Sequence, residues 1–537
     1  MPIAQVTGLA SGIQWQQTVD LLMQIESQPK VALEERRDEY EQKLAAWQDI
    51  NSKLLNLKSI MEEMNELDEV LFKAATSSDG DVLTASATSE AATGSYTVLV
   101  NQLALNDKWT EDNGVPDVGT TDLTVAPATF SYTYGDEAIT MTVPANTTLS
   151  ELVQLINSDV ENPGVTATIL NDGSGTNSYH LVLTGNDSGT SNAITGISHT
   201  LDNFTSSFIN TQTAQNAMIR VDGYPSTGWI ESDSNDVDEV IDGVTLHLKT
   251  TTATPVTVTV SNDTEGAEEK IQDFVTAYNQ VITLINSKTS YDAETETAGV
   301  LFGDGRVIGI KNDLQAIIAS EVPGLAENAA FTSLSEIGIK SGAGGILSVT
   351  STKLQDALSD NFDAVGDLFA LTHSSDNNAL TYFLSNALTQ GGTFNVAAQY
   401  DDQGALVSAT INGNPAQIDG SYIIGAAGGP EEGLRVKFTW PGGGAGSVSA
   451  EINLAKGDAV RLADRISFLT DPIDGTVHFA TEGVQDTIDS IDDQIETWEA
   501  RLETKRAQLE REFLAMETLI SQLQGQGNYV SAMIAGM

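Results

Sequence analysis

Residues 484–523 read VQDTIDSIDDQIETWEARLETKRAQLEREFLAMETLISQL, and the fold is decided there. Steps of four and three, taken alternately from Val484, land on Val484, Ile488, Ile491, Ile495, Trp498, Leu502, Lys505, Leu509, Glu512, Met516, Leu519 and Leu523. Ten of these twelve positions are apolar, which is the heptad spacing of a coiled-coil seam. The residues off the seam, among them Asp492, Glu496, Arg501, Glu503, Arg506 and Glu510, mix both signs of charge. They form a solvated face whose ion pairs are worth a few tenths of a kcal/mol each.

The other end of the chain carries a matching stripe. Tyr40, Leu44, Trp47, Ile50, Leu54, Leu57, Met61, Met64, Leu67 and Leu71 follow one another at intervals of three or four. Burying one Leu-sized side chain is worth roughly 1.5 to 3 kcal/mol, so each helix demands a partner. The economical solution is that the two ends pack together as an antiparallel helical stem with the rest of the chain inserted between them. A coiled coil between two chains is the alternative.

The charge is distributed accordingly. The chain has 537 residues with 25 Lys and Arg against 75 Asp and Glu, a net charge of −50. That excludes a general nucleic-acid binder and a peripheral protein of anionic membranes, because both depend on cations. Seven cations lie within 1–73 and four within 484–537, whereas Lys108 alone stands between Lys73 and Arg220. Mixed charge with helical periodicity at the ends gives way to an acidic, Thr- and Gly-rich middle of β character. There is no cysteine, which removes disulfides, thiolate metal sites and thiol nucleophiles. Residues 1–26 hold no basic residue and no unbroken apolar run, so a secretory signal peptide is not expected, and no apolar stretch is long enough to span a membrane. Cytosolic residence or export without a cleaved signal remains.

Alternation appears in Tyr96–Val100, Thr166–Leu170 and Tyr179–Leu183, with Ser150 read as the cap of a short helix between them. Ala217–Val260 carries further strands around the turns Asp222–Gly223 and Asp242–Gly243, and Ala267–Ile285 returns to helical spacing. The expected fold class is α+β and multidomain, an antiparallel coiled-coil stem from both chain ends with inserted β-rich head domains. The stem takes 40–75, 265–392 and 476–523. One head takes 76–105 with 205–264, a second takes 106–204, and 393–475 forms an extra β-type insertion. Residues 1–39 and the tail 524–537 are expected to be poorly ordered in the free monomer, since Gly8, Gly12, Gly525, Gly527 and Gly536 weaken helices there.

Catalytic signatures are missing. The sequence contains no G-x-S-x-G, no G-x-x-x-x-G-K-[ST] and no H-E-x-x-H. His180, His199, His247, His373 and His478 are scattered singly, and the acidic loops lack EF-hand spacing. No catalytic residue, cofactor or metal is expected.

The opening run Gly8, Leu9, Ala10, Ser11, Gly12, Ile13, Gln14, Trp15, with Val19, Leu22 and Met23, closely resembles the start of the bacterial flagellar filament cap proteins, the hook-associated protein 2 family. Ala217–Gly223, Val240–Lys249, Ala298–Gly303 and the C-terminal helix also look like that family, and Pro144–Asn192 is similar to an insertion motif of flagellins and hook-associated proteins. Gln14 stands where the family usually has Asp. The resemblance implies a non-enzymatic cap at the distal tip of the filament that retains flagellin and helps it fold and polymerise. It implies a homo-oligomeric ring, commonly a pentamer, that meets flagellin and the hook–filament junction proteins. It also implies an export chaperone on the C-terminal region and secretion through the flagellar type III channel. Gly8, Leu9, Ala10, Ser11, Gly12, Ile13, Trp15, Val19 and Leu22 become the expected filament-docking motif. Leu44, Trp47, Leu54, Ile488, Ile491, Ile495, Trp498, Leu502, Leu509 and Met516 become the stem seam. An adhesin binding glycans or mucin at the filament tip is the alternative function.

Overall fold

The computed structural model describes residues 14–204 and 207–535. Its helices are α1 (Trp15–Glu26), α2 (Gln28–Glu62), α3 (Leu67–Val70), α4 (Leu149–Ser158), α5 (Thr264–Thr289), α6 (Gly305–Ala319), α7 (Ser351–Asp360), α8 (Phe362–Asp367), α9 (Asp458–Leu469) and α10 (Thr476–Ala535). The chain divides into two compact units, residues 1–70 with 268–537, and residues 71–267. Helix and sheet are both abundant, as an α+β class requires.

In the first unit α2 is the hub. It packs against α9 and α10, and α1 packs against α10. The polar edges of α2 grip α5 with Lys53 Nζ donating to Gln280 Oε1 at 2.8 Å and Lys270 Nζ donating to the Glu63 carbonyl at 2.9 Å. As the α2 number rises the α5 number falls, so those two helices are antiparallel. Trp47, Ile50, Leu54, Leu57 and Met61 are fully buried along the inner face of α2. Residues 15–39 lie in α1 and α2 on either side of a turn at Ser27, and only Trp15 and Val19 among them are buried. No glycine occurs between Gly12 and Gly80, and Lys30–Glu34 and Arg37–Glu41 are i, i+4 ion pairs that support the helix. Residues 524–535 continue α10, with the side chains of 524–534 all exposed. Gly525 and Gly527 cost about 1 kcal/mol each against Ala, which a helix of 60 residues propagates through.

The first unit also contains a β-sandwich of its own. Strands 371–375, 446–456, 392–400, 406–411 and 414–415 form one sheet in that order, and 380–384, 435–438, 422–424 and 417–419 form the other. Phe394, Val396, Ile411, Ile423, Val436, Ile452 and Leu454 fill the space between. The extra insertion therefore spans 371–456, not 393–475. Leu371 pairs with Lys456 and Leu380 with Phe438, so two strands assigned to the stem are claimed by the sandwich. Residues 458–469 go the other way. Ala459, Leu462, Ala463, Ile466 and Leu469 make an apolar helical stripe that α2 covers.

The second unit holds two β cores. Strands 73–77, 256–262, 94–102, 217–221 and 230–232 form a five-stranded sheet, and 236–241, 244–248 and 83–87 a three-stranded one, around Val98, Val100, Ile219, Leu246 and Val258. Strands 208–212, 106–111, 179–188 and 165–171, with 137–143, 128–134, 194–199 and α4, enclose Phe130, Tyr132, Leu149, Leu152 and Leu183. The strand 208–212 pairs with 106–111 and so belongs to the second core, although its number placed it in the first. Thr148, not Ser150, caps α4. Its hydroxyl accepts from the Glu151 backbone N–H while the Glu151 carboxylate accepts from the Thr148 N–H, a reciprocal capping box that holds the Glu151 carboxyl below its usual range. The two cores are tied together where the chain passes between them. Ser188 Oγ of the second core donates to the Asp233 carbonyl of the first at 2.6 Å, and beside this link the buried Asp107 carboxylate closes the second core by accepting from Trp109 Nε1, Asn210 Nδ2 and the Ile194 and Ala214 N–H groups.

Candidate functional site

The terminal helices bring the two ends of the sequence together. Trp15 stacks on Phe513 with ring centroids 6.3 Å apart, and Arg506 Nη2 donates to Asp20 Oδ1 at 2.7 Å. Further along, Lys30 Nζ lies 2.6 Å from Glu499 Oε1 and Arg37 Nη1 lies 3.8 Å from Asp492 Oδ1. Numbers on one side rise as those on the other fall, so α1 and α2 run antiparallel to α10 from residue 15 onward. The hydrogen bond to Glu499 holds the Lys30 ammonium above the ordinary lysine value, and one to Asp38 does the same for Arg37. These exposed pairs fix register more than they stabilise, since water and salt screen them.

The apolar seam is covered unevenly. Trp47 and Leu54 on α2 and Ile488, Ile491 and Ile495 on α10 are buried, and Leu44 is half-buried. Beyond Ile495, Trp498, Leu502, Leu509 and Met516 are only partly covered, and Leu519 is 60% exposed. The cause is geometric. The partner helix α2 is itself half-exposed below Tyr40, and α1 ends at Trp15, opposite Phe513. Past that point α10 runs on for more than twenty residues, and Leu514, Leu519, Leu523, Val530 and Met533 there are exposed. The same alternating step, carried through Gln526, reaches Val530 and Met533, which are also exposed. That extension was readable from the heptad. Leu21 and Ile25 on α1, exposed beside Leu22, keep the same helical spacing of three and four, and only the structure shows that they face water.

Trp15 and Val19, at i and i+4, are buried and anchor α1. Leu22 faces solvent, so the expected docking motif is split between an anchoring face and an open one. Gly8, Leu9, Ala10, Ser11, Gly12 and Ile13 lie outside the described residues. Gln14 occupies the N-cap of α1 and makes no side-chain cap hydrogen bond, the role that an Asp fills well.

A second concentration of polar groups lies at α9. Asp458, fully buried at the start of that helix, receives Arg461 Nη1 at 2.8 Å, and Arg461 Nη2 donates to Ser320 Oγ at 2.7 Å. The ion pair by itself would lower the Asp458 carboxyl; burial outweighs it and pushes the group up to about 7. Lys456 Nζ, also buried, is held by Asp464 Oδ2 at 2.8 Å and the Asn386 carbonyl at 2.7 Å. Among the described residues no group of three or more His, Asp and Glu is placed to hold a metal, and no helix is long and apolar enough to cross a membrane.

Comparison with known proteins gives a consistent result. The family described as flagellar hook-associated protein 2, C-terminus, matches residues 214–525, and its N-terminal counterpart matches 11–107. The flagellin hook IN motif matches 129–187, across the second β core. The chain is 30% identical over 394 residues to the A-type flagellar hook-associated protein 2 of Pseudomonas aeruginosa, covering 68% of this chain and 80% of that one. It is 26% identical over 387 residues to flagellar hook-associated protein 2 of Escherichia coli K12, covering 67% and 79%. Among solved structures, the D1-D2-D3 domains of the Escherichia coli flagellar cap protein FliD align with 28% identity and a TM-score of 0.49, over 60% of this chain and 89% of that one.

Proposed function

Because the chain belongs to the flagellar hook-associated protein 2 family, we propose that it caps the distal end of a bacterial flagellar filament, retaining flagellin and promoting its folding and polymerisation there. The observation that carries this reading is the uncovered far half of α10, where Leu519, Leu523, Val530 and Met533 keep the heptad register in water. Monomeric proteins rarely leave a long apolar stripe exposed unless another chain covers it. Four such side chains offer a partner helix roughly 1.5 to 3 kcal/mol each, less what is already gained by partial burial. On this reading the buried half of the seam forms a stem that holds the helix straight, and the open half, with α1, docks into the filament end and onto flagellin.

The reading brings further parts with it. The protein assembles as a homo-oligomeric ring, a pentamer in the form we favour, meets the hook–filament junction proteins before the filament grows, and leaves the cell through the flagellar export channel with a chaperone on the C-terminal stretch until export. Complementation tests the proposal. A strain deleted for its own cap and given this gene with its cognate flagellin should grow filaments of normal length. Continued loss of flagellin to the medium, with the protein folded and exported, would count against it.

A further inference from the structure

One end of the second β core is closed by two pieces of chain lying side by side. Residues 112–115 follow the strand 106–111, and the turn 172–178 joins the strands 165–171 and 179–188. Val115 and Tyr179 exchange backbone hydrogen bonds, and Gly114, at φ +64°, sits so close that a Cβ there would collide with the Asn177 carbonyl oxygen. His180 stands between the two pieces and is 8% exposed. Its Nδ1 lies 2.8 Å from the Glu111 carbonyl oxygen, and its Nε2 lies 3.4 Å from Asp172 Oδ2. A carbonyl oxygen only accepts, so Nδ1 carries the ring proton. In the neutral imidazole Nε2 is then a bare lone pair facing a carboxylate oxygen, an acceptor against an acceptor. Nε2 is also shut off from solvent and has no hydrogen-bond partner among the described residues.

We infer that His180 is a proton-operated latch: taking a proton from solvent at Nε2, it donates to Asp172 and fastens the turn 172–178 to the end of the strand 106–111; losing that proton, it releases the turn. The charged groups that face the ring are Glu111, whose Oε2 is 3.9 Å from Nδ1, Asp112 beyond it, and Asp172 from the turn. Burial opposes a charge on the imidazole, and carboxylates within about 4 to 6 Å favour it. Attraction prevails here, since the charged ring satisfies a buried atom that the neutral ring leaves unpaired. Asp172 is the partner that persists in acid. The Ser174 backbone N–H holds its carboxyl below the ordinary aspartate range, whereas burial pushes the Glu111 carboxyl up against the N–H groups of Asn113 and Gly114 that bond it. The charged form has the extra bond, so the turn is held at low pH and freed as pH rises through the range in which histidines lose their charge. Gly173 and Gly175 have positive φ and nothing within 4 Å of a Cβ position, so the turn is loosely packed and one bond decides how firmly it is held.

Hydrogen exchange of the full-length protein tests the latch, read peptide by peptide with EDTA present and corrected for the intrinsic pH dependence of exchange. Amides of 171–179 should be about tenfold better protected at about pH 5 than at about pH 8, the worth of one charge-assisted hydrogen bond. Residues 94–102 of the first β core should show no such change, and reading by peptide keeps out the titration of Asp458 in the other unit. His180→Asn retains a donor where Nδ1 stands and has no Nε2, so the pH dependence at 171–179 should vanish while 179–188 stays protected. Asp172→Asn changes a side chain that is 43% exposed and should also abolish the dependence; it carries the test alone if His180→Asn loosens the core. Wild-type protection at 171–179 that ignores pH, or a dependence that survives in both variants, would overturn the inference. So would zinc that, without EDTA at about pH 8, reproduces the protection seen in acid, because a metal ion would then hold the place assigned to the proton.

Discussion

Ile491 and Leu519 occupy the same α10 seam four heptads apart, yet they should respond to truncation very differently. Ile491 is 2% exposed, so Ile491→Ala removes buried carbon and leaves a cavity, a loss of about 2 to 5 kcal/mol. Leu519 keeps less than half of its side chain covered. Scaling the roughly 1.5 to 3 kcal/mol of a fully buried Leu by that fraction leaves about 1 kcal/mol at most, and the higher helix propensity of Ala recovers part of it. Hydrogen exchange read by mass spectrometry on α10 peptides is the suitable assay, since a chain with several cores does not unfold in one step. Ile491→Ala should accelerate exchange of amides in 484–500 by at least about thirtyfold, the equivalent of about 2 kcal/mol. Leu519→Asp should leave those amides unchanged in the free protein and abolish filament capping in cells. Equal effects of the two substitutions on exchange would refute the unequal covering of the seam. A Leu519→Asp variant that capped normally would refute its functional use.

Three further outcomes follow from the same structure. Burial raises Asp458 to about 7 from 3.8, so the stability it contributes is fully present below about pH 3.8 and is lost as pH rises through about 7; Asp458→Asn should flatten the dependence of the first unit's melting temperature over that window, as calorimetry would record. Gln14→Asp supplies the missing N-cap acceptor of α1 and should slow exchange of the first-turn amides, a gain of about 1 kcal/mol, whereas Gln14→Ala should change little. With a net charge of −50, association between copies should weaken at low ionic strength, where the Debye length exceeds its physiological value of about 8 Å, and light scattering across a salt series should show it.

The helical ends were legible because a seam repeats. Alternating steps of four and three along α10, and similar steps from Tyr40 along α2, leave no other periodic structure open, and the mixed charge off the seam agrees with them. The β regions were legible as β but not as domains. The residues 208–212 alternate like any neighbouring strand, and only pairing with 106–111 shows which core owns them. The boundary of the sandwich failed for the same reason. Leu371–Ser375 and the strand at 446–456 are more than seventy residues apart, and the hydrogen bonds joining them leave no trace in either segment alone. Helix α9, short and bounded by strand and turn, was missed although its apolar residues keep helical spacing.

By itself the sequence determined the class of the protein. Periodicity set the long helices, the excess of acids argued against a general nucleic-acid binder, and the terminal motifs resembled those of the hook-associated protein 2 family, because each of these is a property of residues near one another along the chain. Tertiary structure decided where apolar surface is spent and where it is left open. Ile491 and Leu519 are equivalent in the heptad; one is enclosed and the other is wet because α2 and α1 end where they do, and the length of a partner helix is invisible to the residue that needs it. The charged cluster at α9 was beyond reach in the same way, since Lys456, Asp458, Arg461 and Ser320 meet only when the end of α6 is folded against α9.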